Sequence, residues 1–108
     1  SQAVSTFGDF LGRFGDDPLR PNAHFWLGES HFALGQYTPA AEQFLTVFNS
    51  YPEDVKVPDA LLKLAMSLER LGAQEQACAT FNKLLTDYPR APQIVLDTAS
   101  TEQSLAGC

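Results

Sequence analysis

GQYTPAAEQFLTVFNSYP, residues 35–52, and GAQEQACATFNKLLTDYP, residues 72–89, carry Gly, Ala, Phe, Tyr and Pro at the same places. Corresponding residues are always equally far apart: 72 minus 35 for the glycines and 89 minus 52 for the prolines both give 37. Laying residues 21–52 over 58–89 gives ten identities in 32 positions. Unrelated segments of average composition would give about two. The chain therefore contains an internal repeat.

The repeat follows the pattern of the tetratricopeptide repeat, a helix–turn–helix unit written W-x₂-L-G-x₂-Y…A-x₃-F…P. The usual period of that unit is about 34 residues, so the linker EDVKV after Pro52 is three residues longer than usual. The first copy fills the signature positions with His24, Leu27, Gly28, His31, Ala40, Phe44 and Pro52, and the second copy follows 37 residues later.

Each signature residue has a packing role in such a unit. Gly28 lies where two helices cross closely, and Phe44 fills the space beside the crossing. Gly35 ends the first helix, because glycine accepts the left-handed conformation of a helix terminus. Thr38 is expected to cap the second helix. Pro52 stops that helix, because proline disfavours helical geometry in the residue before it.

The pattern predicts one all-α domain over residues 1–108, a tetratricopeptide superhelix with two full repeats flanked by single helices. Residues 1–15 are predicted to be the second helix of a truncated repeat, which suggests a fragment cut inside a repeat. Residues 21–52 and 58–89 form the two repeats, and 92–106 a capping helix with a polar outer face. The expected helices cover 2–14, 22–34, 39–50, 59–71, 75–87 and 93–105.

The composition narrows the classes of partner. A net charge of −6 and a pI of about 4.6 disfavour capture of nucleic acid or anionic lipid, and they favour a basic partner segment. No apolar run reaches the roughly 18 residues of a membrane span, and no signal peptide is visible in this sequence.

One family in particular is resembled by two segments of the sequence and by the long linker between the repeats. The segments are PNAHFWLGESHFALGQY and VPDALLKLAMSLERLG. They are similar to the C-terminal repeat domain of the YbgF/CpoB family, the Tol-Pal accessory proteins that coordinate cell division. The resemblance covers roughly residues 10–95. It implies a periplasmic location in Gram-negative bacteria and binding to TolA, with the peptidoglycan synthesis machinery as a further partner. It also implies that the full-length protein trimerises through an N-terminal coiled coil absent from this sequence, whereas the 108-residue chain itself is expected to be monomeric. The alternative is a generic repeat scaffold that resembles the outer-membrane assembly lipoprotein BamD.

A binding face is predicted on the first helix of each repeat, because these helices line the concave side of the superhelix. Exposed Trp and Met on a concave face suit recognition of a peptide or helix. The competing interpretation is that Phe25 and Trp26 are buried against the helix before them. The predicted face comprises Asn22, Phe25, Trp26, Glu29, Asp59, Leu62, Lys63, Met66 and Arg70.

No motif in the sequence favours catalysis, a cofactor or a metal. His24, Glu29 and His31 suggest a metal site at first sight, but both histidines occupy packing positions of the repeat and no third His or Cys is near in sequence. We therefore expect no enzyme activity. Cys78 and Cys108 can form one disulfide if Gly107 turns the chain back, or they can pack as independent thiols. The sequence leaves these alternatives open.

Overall fold

The computed structural model describes residues 19–108, and all regular structure in this range is helical. The helices are α1 (Arg20–Ala33), α2 (Tyr37–Ser50), α3 (Val57–Arg70), α4 (Gln74–Asp87) and α5 (Gln93–Leu105). Each begins within two residues of its predicted start and ends within one of its predicted end. The all-α prediction is therefore confirmed, while the helix predicted over 2–14 lies outside the described residues.

The helices stack as consecutive antiparallel pairs. α2 packs between α1 and α3, α3 packs against α2 and α4, and α5 packs on both α4 and α3. The central helix α3 is the most buried, and its residues Val57, Leu61 and Ala65 are enclosed. One continuous apolar cluster runs from α1 to α5. No described helix is long and apolar enough to cross a membrane.

The close helix crossing predicted at Gly28 is present. Gly28 on α1 faces the ring of Phe44 on α2, and that ring is completely buried. The glycines that end the first helices have left-handed backbone angles, with φ of 73° at Gly35 and 80° at Gly72. Both positions match their predicted role as helix terminators.

The predicted cap of α2 is wrong. The helix begins at Tyr37, so Gln36 is its N-cap, Thr38 lies inside the first turn, and no side chain caps the helix. The backbone carbonyl of Gln36 accepts the N–H of Ala40 at 3.1 Å, which starts the helical hydrogen bonds two residues earlier than expected. Pro39 is tolerated because an N–H in the first turn has no partner within the helix.

The helix α5 occupies the position of a further first helix. Pro92 follows Pro58 by 34 residues and Ala99 follows Ala65 by 34, and both alanines are fully buried. The repeat therefore returns to its usual length after α4. The first linker alone carries three extra residues, and these form ordered turns: the N–H of Asp54 donates to the carbonyl of Tyr51 at 3.0 Å, and the N–H of Val57 donates to Asp54 at 3.1 Å.

Candidate interaction face

The predicted binding residues divide into an exposed set and a buried set. Trp26 and Arg70 are exposed, and Trp26 keeps 45% of its surface accessible. Half-buried members of the predicted face are Asn22, Glu29, Asp59 and Lys63. All six lie on α1 and α3, so these two first helices carry the open part of the face.

Phe25, Leu62 and Met66 do not lie on an open surface, and the prediction of their exposure is wrong. Their exposed fractions are 5%, 6% and 9%, and all three belong to the apolar cluster. The reason is that α3 contacts α1 and α5 as well as its antiparallel neighbours, which encloses the side chains between the first helices. Phe25 is buried and Trp26 is exposed, while the preceding helix of the competing interpretation lies outside the described residues.

A lysine that the prediction missed lies at one end of this face. The ammonium of Lys56 is 4.6 Å from the centre of the Phe25 ring and 5.0 Å from that of Trp26. These distances are those of cation–π interactions. The two rings meet edge to face at 5.2 Å, and Phe25 rests in turn on Phe44 at 5.7 Å. Trp26 is therefore supported from the core while its outer surface stays accessible.

The middle of the face is built around Phe32. Lys63 lies 5.1 Å and the Arg70 guanidinium 5.4 Å from the centre of the Phe32 ring. Lys63 also pairs with Glu29 across the two helices at 3.4 Å. Positions 56, 63 and 70 are seven apart, which is about two helical turns, so their side chains project on one side of α3. The seven-residue spacing was visible in the sequence, but Lys56 precedes α3, and only the folded linker places it on this side of the helix.

The two histidines make contacts within the protein. Nδ1 of His24 lies 2.7 Å from Oε1 of Gln43, and Nδ1 of His31 lies 2.7 Å from Oε1 of Gln36. An amide oxygen only accepts, so each Nδ1 carries the donated hydrogen. Burial lowers the pKa of His24, the bond to Gln43 opposes that shift, and the charge of Arg20 adds to it. Both histidines are therefore explained by packing and hydrogen bonding. Within residues 19–108, no three His, Cys, Asp or Glu side chains are grouped to hold a metal ion.

Cys78 and Cys108 form a disulfide, with their Cα atoms 5.5 Å apart. The bridge ties α4 to the chain that leaves α5. Gly107 has a φ of 79° and turns the chain back as the disulfide requires. The side-chain amide of Gln74 donates to the carbonyl of Ala106 at 2.6 Å and holds the same turn against the start of α4. Of the two alternatives that the sequence left open, the structure has the bridge.

Comparison with known proteins agrees with this architecture. Two family models, both described as tetratricopeptide repeat, match residues 1–55 and residues 59–91. Comparison with curated protein sequences finds no matching relative. Tetratricopeptide domains are generally non-catalytic scaffolds that bind other proteins, which agrees with the partly exposed face on α1 and α3. The chain belongs to the tetratricopeptide repeat family.

Proposed function

We propose that this chain is the periplasmic interaction domain of a YbgF/CpoB-type protein, and that it binds TolA through the face formed by α1 and α3. In this role it would couple constriction of the outer membrane to peptidoglycan synthesis during cell division. The proposal rests on the sequence motifs NAHFWLGE and PDALLKLA, which are more specific for the YbgF/CpoB family than the repeat signature alone.

The observation that carries a binding role is the exposure of Trp26. A tryptophan that keeps 45% of its surface accessible has a large apolar area available to a partner. Tryptophan is also enriched among the residues that contribute most to binding energy. Because its ring is supported by Phe25 and flanked by Lys56, binding would cost little side-chain ordering.

The periplasmic location is supported by the bridge between Cys78 and Cys108. Disulfides persist in oxidising compartments such as the bacterial periplasm and are rare in the cytosol. A BamD-like scaffold would share the compartment and the fold, so the disulfide does not distinguish the two assignments. Only the identity of the protein that this chain binds can distinguish the YbgF/CpoB assignment from the BamD-like one.

Titration with purified periplasmic fragments of TolA tests the proposal. Trp26 is the only tryptophan in the sequence, so biosynthetic replacement by 5-fluorotryptophan gives one ¹⁹F signal from the face. We expect saturable binding that shifts or broadens this signal. Leu45→Ala is the matched control, because Leu45 is an exposed apolar residue on α2 and does not belong to the predicted face. It should bind as the unmodified chain does, while Trp26→Ala should bind more weakly.

Three other outcomes would each change the proposal. Saturable binding with an unchanged ¹⁹F signal would keep TolA as the partner and move the site away from Trp26. Equal loss of binding in the Leu45→Ala and Trp26→Ala variants would also reject the face. No binding to any TolA fragment would reject the YbgF/CpoB role and favour a generic repeat scaffold.

A further inference from the structure

We infer that the Trp26–Lys56 end of the face binds a peptide segment in which an acidic side chain lies next to an apolar one. This inference rests on the proposed use of the α1–α3 face, but it does not depend on TolA being the partner. It gives the partner a chemistry opposite to the one suggested by the net charge of −6, which favours basic segments.

The first step of the argument is the state of the Lys56 ammonium. Among residues 19–108 it forms no ion pair and no side-chain hydrogen bond, and its only polar attraction is to the faces of Phe25 and Trp26. Glu53, Asp54 and Asp59, the carboxylates nearest to it in sequence, do not pair with it. An ammonium has three N–H donors and aromatic rings satisfy them weakly. Lys56 therefore keeps donors available for a carboxylate.

Lys56 differs in this respect from the other cations of the face. Lys63 pairs with Glu29, and Arg70 lies 3.3 Å from the carboxylate of Glu69. These two charges are largely balanced within the protein. The positive charge available to a partner is thus concentrated at the Trp26 end, whereas the middle of the face, around Phe32, is closer to neutral.

The second step concerns what holds Lys56 in place. It belongs to the linker that is three residues longer than the one before α5, where Pro89 and Pro92 are only three apart. The linker is folded rather than loose, because the Lys56 N–H donates to the Asp54 side chain at 2.9 Å. The next residue, Val57, is fully buried and anchors the end of the linker in the core. The extra residues of the linker therefore place the ammonium of Lys56 next to the exposed Trp26.

The third step is the pairing of charge with apolar surface. The accessible part of the Trp26 ring is about 5 Å from the ammonium, so one short segment can reach both. An acidic side chain would satisfy Lys56 while a neighbouring apolar side chain covers Trp26. A basic segment would instead bring like charges together over the same rings, which is unfavourable.

Selection from a displayed library of random 16-residue peptides tests the inference on the intact 108-residue chain. We expect the enriched peptides to carry Asp or Glu beside Leu, Phe, Ile or Met. Selection on Lys56→Glu should lose this preference or reverse it towards Lys and Arg. Arg90→Glu is the matched control: it makes the same change in net charge at an exposed residue outside the face, and it should select the same peptides as the unmodified chain.

Binding of one enriched peptide then gives the magnitude. Replacing its acidic residue by Gln or Asn should weaken binding about two- to fivefold at low salt, as expected for a partly exposed ion pair, and the difference should shrink at high salt. Lys56→Gln, which introduces no repulsion, should give a similar loss. Thermal unfolding of each variant should show that it remains folded.

The outcomes separate this inference from the proposed face. If the enriched peptides show no acidic preference, or if Lys56→Glu selects the same peptides, the acidic partner is wrong. If those peptides still bind more weakly to Trp26→Ala, the face itself stands. If they bind Trp26→Ala as they bind the unmodified chain, the α1–α3 face is wrong as well. A library that yields no enriched peptides also rejects the inference.

Discussion

A Cβ atom added to Gly28 would lie 2.7 Å from Cε1 of the Phe44 ring, closer than real Cβ contacts come. The ring is fully buried and Phe25 packs on it, so moving it would disturb the core. The missing side chain therefore sets how closely α1 approaches α2. In the second repeat Ala65 and Phe81 occupy the corresponding positions, and both are fully buried, so that repeat accommodates one methyl group where the first has none.

Gly28→Leu should lower the free energy of unfolding by about 1–3 kcal/mol or more, because overpacking forces the helices apart. Gly28→Ala should destabilise less, since it adds a single methyl group. Urea denaturation followed by circular dichroism measures both changes.

Ala33→Leu is the control for this pair. It adds a leucine to the same helix at an exposed position, where substitutions usually change stability by less than about 0.5 kcal/mol. A Gly28→Leu variant as stable as Ala33→Leu would contradict the close-crossing argument.

The packing pattern of the repeat was predictable because it depends on residues near in sequence. Gly28, Phe44 and Gly35 have roles that a helix–turn–helix unit imposes on any chain, and the helix bounds follow from them. The disulfide was only partly predictable. Its formation depends on the turn at Gly107 and on where α5 ends against α4, and two independent thiols fitted the sequence equally well.

The composition of the face was less predictable, because it depends on contacts between first helices that are far apart in sequence. Helical spacing placed Phe25, Leu62 and Met66 towards the concave side, but it did not indicate how tightly α1, α3 and α5 pack there. Lys56 was missed for a different reason. It lies in a linker, and only the folded turns of that linker bring it to Trp26.

Neighbouring aromatic residues on α1 should respond differently to truncation. Phe25→Ala should lower the free energy of unfolding by about 3–5 kcal/mol, because a buried ring is lost and a cavity remains. Trp26→Ala should cost clearly less, since nearly half of the surface of Trp26 is exposed in the folded state. Chemical denaturation of both variants provides the comparison. Equal losses of stability would mean that Trp26 is a core residue and would count against its role in binding.

Stability should fall as the pH drops below the ordinary pKa of histidine, and His24 should contribute to the fall. Burial lowers its folded-state pKa. Below about pH 6.5, His24 therefore binds a proton in the unfolded chain while it is still neutral in the folded chain. The stabilisation by neutral His24 is thus complete above pH 6.5 and is lost as the pH falls through its folded-state pKa. Unfolding in urea at a series of pH values from 7.5 to 5 measures the effect.

His24→Leu is the informative variant, because Leu61 occupies the same position in the second repeat. It should flatten the dependence of unfolding free energy on pH over this range. Leu45→Ala changes an exposed residue that does not titrate and serves as the control, with the pH dependence expected to stay close to that of the unmodified chain. Identical pH profiles for the unmodified chain and for His24→Leu would show that His24 does not contribute.

Removing the bridge between Cys78 and Cys108 should lower the free energy of unfolding by about 3–4 kcal/mol. The two cysteines are 30 residues apart, and closing a loop of that size restricts the unfolded chain by roughly this amount. The comparison is between oxidised chain, reduced chain and the Cys78→Ser/Cys108→Ser double variant in urea denaturation. The double variant should match the reduced chain and should not respond to reductant.

The loss of stability on removing the bridge should be greatest in α5. Without the bridge, α5 is held by packing at Val95 and Ala99 and by the hydrogen bond between Gln74 and Ala106. An isolated 13-residue helix is marginal in water, so α5 should open before the rest of the domain does. Amide hydrogen exchange of the reduced chain should therefore speed up in α5 well before α1 and α2. Uniform acceleration across all helices would instead mean that α5 unfolds only together with the whole domain, and that the bridge acts on global stability rather than on the attachment of the terminal helix.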